Sequence, residues 1–127
     1  MLEIAGRFPG LNDIVKAAKK HWAAYAKEKK ALTRFVEILF RAHGCKPVGK
    51  PCIVRFTWVE PDRRRDLDNI TAGQKFCFDG MVAAGVLPND GWKWVHGIEH
   101  RFAVDKDNPR VIVEVMDAEY QEDSGTA

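Results

Sequence analysis

Asp66 and Asp68 stand two residues apart, directly after three consecutive arginines, Arg63, Arg64 and Arg65. Lys75 follows, and a third carboxylate, Asp90, returns about one helix length later. Clustered carboxylates hold a hard divalent cation, and arginines hold phosphate through their forked donors. The combination points to metal-dependent chemistry on a polyanion, and phosphodiester cleavage is the reaction these groups suit. That reaction needs an activated water and a countercharge for the transition state. Mg²⁺ keeps several waters and takes only one or two protein carboxylates. Asp66, Asp68 and Asp90 are therefore the candidate ligands for Mg²⁺, with Mn²⁺ as a substitute. Lys75 is the candidate for neutralising developing charge, and Arg63, Arg64 and Arg65 for gripping the backbone. Read alone, the Asp pair serves equally well as a helix cap and a partner for the arginines. The adjoining arginine run favours the chemical reading. Asp79, at i+4 from Lys75, reads as its surface partner.

These residues must be positioned by the flanking elements. Leu2 to Phe8 begins with alternation and reads as a short strand that Pro9-Gly10 stops. Residues 13–43 lack Pro and Gly and are rich in Ala, Lys, Leu and Glu, which predicts helix capped by Asn12 or Asp13, with a break near Lys19-Lys20-His21. Cys52 to Val59 alternates and predicts a strand with one drier face. Asp66 to Asn69 can open a helix running to Ala84, which would place Asp68 and Lys75 on one face, and Gly85 and Pro88 end it. Trp92 to Val104 reads as a strand kinked at Gly97, with His96 and His100 on one face. Arg110 to Met116 reads as its hairpin partner across the Asp105–Pro109 turn. The expected fold is a single α+β domain in β-α-β-α-β-β order, with helices packed on one mixed sheet and a frayed tail from about Asp117.

Trp92-Lys93-Trp94 sets two aromatics on one strand face with a cation between them. Such faces can stack on unpaired bases, with Lys93 on the phosphates. Core or interface packing is the commoner use of such tryptophans. The charge is unevenly spread: residues 1–65 carry 15 Lys/Arg against 6 Asp/Glu, and residues 66–127 carry 5 against 12. A basic half beside an acidic one suits a nucleic-acid footprint alongside a metal-binding cluster. Lys16, Lys19, Lys20, Lys27, Lys29 and Lys30 contribute much of it, either as backbone contacts or as a solvated helix face. The three cysteines, Cys45, Cys52 and Cys77, show no CxxC spacing, which disfavours a disulfide framework or zinc site and fits a reducing, cytoplasmic setting. No apolar run is long enough for a membrane span.

Arg63-Arg64-Arg65-Asp66-Leu67-Asp68-Asn69, Lys75, Phe78-Asp79, Ala84-Gly85 and Asn89-Asp90 together resemble the RusA family of Holliday-junction resolvases. The similarity spans about residues 52–116 and is strongest over 62–95. It implies a RusA-like fold and Mg²⁺-dependent nicking of four-way DNA junctions by a homodimer, in DNA recombination and repair. Asp66, Asp68 and Asp90 match the family's catalytic aspartates, and Lys75 its essential lysine. The chain carries three more residues between Asn69 and Lys75 than the shortest members, nearly one helical turn, or about 4–5 Å of travel along the same face. The alternative expectation is a branched-DNA-binding protein without cleavage activity.

Overall fold

The computed structural model describes residues 2–118. Its elements run β1 (Leu2–Ala5), α1 (Leu11–Lys20), α2 (Trp22–Ala42), β2 (Cys52–Glu60), α3 (Leu67–Thr71), α4 (Gln74–Ala83), β3 (Val95–Val104) and β4 (Arg110–Asp117). The expected α+β class and the break near His21 are both present. The four strands form one mixed sheet in the order β1-β4-β2-β3. β2 pairs parallel with β3 and antiparallel with β4, and β4 pairs antiparallel with β1.

This order corrects the expected hairpin: β2 lies between β3 and β4. The cause is burial. Cys52, Ile53, Val54, Phe56, Trp58 and Val59 are all buried, so β2 needs neighbours on both edges and cover beyond one drier face. The Asp105–Pro109 turn instead crosses the end of β2, where the Asp105 N–H donates to the Glu60 carbonyl at 2.8 Å.

The core lies between the sheet and the helices. Val54, Phe56 and Trp58 of β2 meet Phe76, Cys77 and Met81 of α4, Val36 and Phe40 of α2, and Ile4 of β1. Gly80 permits the closest helix approach, since a Cβ there would overlap the side chain of Val36.

Other boundaries differ from expectation: β1 ends at Ala5, short of Phe8, and β3 begins at Val95, which leaves Trp92-Lys93-Trp94 in a turn before the strand. The helix predicted from Asp66 to Ala84 is split into α3 and α4, because Gly73 is buried against Phe8 and Trp58 and holds a tightened turn, its N–H donating to the Ile70 carbonyl. That split removes the shared helical face expected for Asp68 and Lys75. α1 starts at Leu11, with Asp13 Oδ2 accepting from the Gly10 N–H at 3.0 Å, so neither Asn12 nor Asp13 is the N-cap. β4 includes Asp117, and the tail expected beyond it falls, from residue 119, outside the described residues. At the start of β3 the register shifts, so that Val95 pairs with Cys52 but Gly97 pairs with Ile53. This irregularity takes His96 out of the register that His100 follows. No helix among the described residues is long and apolar enough to cross a membrane.

Candidate nucleic-acid and metal site

The arginine–aspartate stretch sits where the chain leaves β2 and enters α3. Asp66 is the residue before α3, in extended backbone, and its carbonyl accepts from the N–H groups of Asn69 and Ile70 at 3.1 Å each. Asp68 lies in the first turn, and its Oδ1 accepts from the Asn69 N–H at 2.9 Å. Both aspartates are exposed, and neither has an ionic partner among the described residues. The capping reading holds in part: Asp66 stands at the N-cap position of α3 and Asp68 takes a first-turn N–H, but neither carboxylate is tied to the arginines beside it among the described residues.

The three arginines separate by role. Arg63 and Arg64 are exposed. Arg64 has only Asp62 near it, at 3.7 Å, with its own N–H bound to Asp62 Oδ1 at 3.0 Å. Arg65 is largely covered and committed: Nη1 lies 3.5 Å from Glu60 Oε1, and Nη2 donates to the Phe8 carbonyl at 3.2 Å. Glu60, the buried acid at the end of β2, also receives Arg7 at 2.8 Å. Arg65 thus builds the site wall, while Arg63 and Arg64 remain available to a ligand.

Asn69 completes the bracing. Its Oδ1 accepts the Asn12 N–H of α1 at 3.0 Å, and a Cβ at Gly10 would collide with Asn69 and Arg65 together. The start of α1 is therefore pressed against the same loop that carries Asp66 and Asp68. A cleft of about 260 Å³ opens beside it, lined among others by Glu60, Asp62, Arg63, Leu67, Phe102 and Val104. The sequence reading missed Glu60 and the bracing roles of Arg65 and Asn69. A glutamate following the apolar Trp58-Val59 pair at the end of a largely buried strand was the available signal.

Asp90 is placed elsewhere. It adjoins the Gly91–Trp94 turn, whose Trp94 carbonyl accepts from the Cys52 N–H at 2.8 Å. Cys52 begins β2 and Glu60 ends it, a run of about 26 Å at 3.3 Å per residue. Within one chain, Asp66 and Asp68 occupy one end of the sheet and Asp90 the other. Among the described residues no group of three or more His, Cys, Asp or Glu side chains could hold a metal ion. Asp66 and Asp68 alone still fit the sparse ligand set of Mg²⁺, being exposed, close in sequence and free of competing cations. Lys75 begins α4 and pairs with Asp79 at 3.1 Å, the i+4 partnership read from the sequence. Lys93 is exposed near Asp90, its Nζ 5.7 Å from the Trp94 ring centroid.

Two other features bear on chemistry. Burial pushes the thiols of Cys52 and Cys77 up, so both stay protonated and all three cysteines are free. Lys29, Lys30 and Arg34 share a groove along α2 with Trp22 and Tyr25, whose rings lie 5.8 Å apart. An exposed Trp22 and a half-buried Tyr25, followed along the same groove by Lys29, Lys30 and Arg34, suit a nucleic-acid strand, and Trp22 carried no distinguishing signal in the sequence.

Comparison with known protein families gives no match to this chain, and no curated protein matches it.

Proposed function

We propose that this protein is a Mg²⁺-dependent endodeoxyribonuclease acting on branched DNA, in the manner implied by its resemblance to the RusA resolvases. The observation that carries this reading is the pairing of two exposed carboxylates, Asp66 and Asp68, neither with an ionic partner among the described residues, with two exposed arginines, Arg63 and Arg64, on one braced loop. Bound there, Mg²⁺ would shield phosphate charge and favour deprotonation of an attacking water. Asp66 and Asp68 would hold the ion. Arg63 and Arg64 would engage flanking phosphates, as forked donors do. Arg65, Glu60 and Asn69 would keep the loop in place. Lys75, exposed at the start of α4, would reach a phosphate by exchanging its ion pair with Asp79, a surface pair of small strength.

A second reading, branched-DNA binding without cleavage, is favoured by the distance of Asp90 from the Asp pair. The deciding experiment uses a synthetic four-way junction and a matched linear duplex, each with Mg²⁺ or EDTA. Paired, Mg²⁺-dependent nicks in the junction alone are expected. Tight binding with no cutting would establish the second reading. Equal cutting of both substrates would mean a general nuclease.

A further inference from the structure

Trp22 opens α2 and is 67% exposed, its ring 5.8 Å from that of the half-buried Tyr25. The apolar stripe of α2 that faces the sheet, Leu32, Val36, Leu39 and Phe40, does not include it. Lys29, Lys30 and Arg34 continue from Trp22 at i+7, i+8 and i+12, the spacing of one helix face. Together they line an open groove of about 690 Å³. Lys29 and Lys30 have no ionic partner among the described residues, and Arg34 is tied to Glu37 through Nη1 alone, at 2.9 Å. The carboxylates of the groove stand at its far end and are already answered: Glu37 by Arg34 and Arg41, and Asp79 by Lys75 at 3.1 Å.

Helix packing sets the direction of the groove. α2 and α4 lie side by side and run the same way, since Val36 packs on Gly80 and Arg41 Nη2 donates to the Ala83 carbonyl at 2.8 Å. At about 1.5 Å per residue, Trp22 lies about 21 Å before Val36, whereas α4 begins only about 9 Å before Gly80. The first turns of α2 thus overhang the start of α4 by about 12 Å, at the end that α3 leads into and where Lys75 stands.

We propose that this groove is a second nucleic-acid site and that it holds an unpaired strand, with a base stacked on Trp22, Lys29, Lys30 and Arg34 on the phosphates, and the strand passing the Lys75–Asp79 pair. The strand is single because its anchor is a ring face. An indole open to water offers a π surface to any unpaired base, whereas the bases of a duplex already cover one another. A row of cations leading from that ring tracks a phosphate backbone. A solvated basic face would account for the lysines but not for the exposed indole that begins their row. Trp22 to Arg34 spans about 18 Å, the length of about five stacked nucleotides at 3.4 Å each. The groove stands on α2 alone; that its strand is an arm of the DNA cut at Asp66 and Asp68 rests on the nuclease reading.

The test is fluorescence anisotropy of a short labelled oligothymidylate with the full-length protein in EDTA, which keeps cutting out of the measurement. Trp22→Leu should weaken binding about tenfold, while Trp22→Phe keeps most of it, because leucine is apolar but has no ring face. Lys29→Ala and Lys30→Ala should each lower the salt slope by about 0.7 in log–log units. The same oligomer without bases should bind the wild type about tenfold more weakly and be indifferent to Trp22→Leu. Unchanged unfolding midpoints keep stability out of the comparison. No binding by the wild type, Trp22→Leu binding as well as wild type, Trp22→Phe as weak as Trp22→Leu, or equal affinity for the abasic oligomer would overturn the site. A polyglutamate peptide bound as tightly as the oligothymidylate would overturn it in favour of an acidic protein partner.

A second stage links the groove to the reaction. With Mg²⁺, a four-way junction bearing an unpaired tail on one arm should be cut faster than the fully paired junction, and Trp22→Leu should remove the advantage. Equal cutting of the two junctions, or an advantage that survives Trp22→Leu, would overturn the link while leaving the groove intact. No cutting of either would remove the nuclease reading, and the anisotropy would still decide the groove.

Discussion

Asn69 Oδ1 accepts the backbone N–H of Asn12 at 3.0 Å, which joins the first turn of α1 to the first turn of α3 across 57 residues of sequence. The bond satisfies a donor that a helix start otherwise leaves without a partner. Asn69→Ala should therefore cost about 1 kcal/mol of stability, the usual scale for a lost cap. Urea unfolding measures it, and an unchanged midpoint would show that α1 is held by its apolar contacts alone.

Arg64 and Arg65 are neighbours with different expected phenotypes. Arg64→Ala should leave stability unchanged and reduce the salt slope of DNA binding by about one phosphate contact, near 0.9 in log–log units. Arg65→Ala should lower stability by about 1–2 kcal/mol, because the carboxylate of buried Glu60 loses one of its two cations and the Phe8 carbonyl loses its donor. Titration at several salt concentrations, with thermal unfolding of the same variants, separates the two. Equal unfolding temperatures would remove Arg65 from the wall of the site.

Asp68→Asn should abolish junction cutting while preserving or tightening junction binding. The change removes a candidate ligand and a negative charge facing phosphate, and leaves the Asn69 N–H an acceptor at the same position. A gel assay with Mg²⁺, run beside an EDTA binding shift, reports both. Normal cutting by this variant would displace the proposed metal position.

His100 supplies a pH dependence. Its Nδ1 accepts the indole N–H of Trp58 at 2.9 Å, its ring stacks on Phe56, and burial lowers its proton affinity below the ordinary value of 6.5. The unfolded chain therefore binds the proton more readily than the folded one. Stability from this group is present above the ordinary histidine value and falls as pH drops through that value towards the lower folded one. Unfolding followed on either side of that range should show the loss, and His100→Gln should flatten it. A variant with the wild-type pH profile would assign the effect to another group.

Much of the fold was legible, and what was not has identifiable causes. The break at His21 and the stop at Gly85 were readable because local residues decide them. The partner of β3 was not, because a five-residue turn after an alternating strand looks the same whether the next strand pairs with it or crosses to the far side of β2. The near-continuous burial of Cys52 to Val59 decided that, and burial is a property of the assembled sheet. Asp66, Asp68, Arg63 and Arg64 do lie together, since adjacency in sequence guarantees it. Asp90 does not, because a helix that leaves one end of a parallel crossover delivers the chain to the opposite end. The split at Gly73 depended on packing against Phe8 and Trp58, which no local pattern encodes.

The central place of β2 has a temporal consequence. Its two neighbours are the last two strands of the described chain to be synthesised, so during translation β2 waits with both edges open while α3, α4 and the turns are made. Contacts of such long sequence separation slow folding and leave apolar strand edges exposed on the way. Glu60 obtains the Asp105 N–H on its carbonyl only at the β3–β4 crossing, whereas the groups that brace the Asp66–Asp68 loop, on Arg7, Phe8 and Asn12, are already made. A nascent or truncated chain lacking β3 and β4 would thus carry the arginines and aspartates with that bracing, but on a central strand without its sheet neighbours.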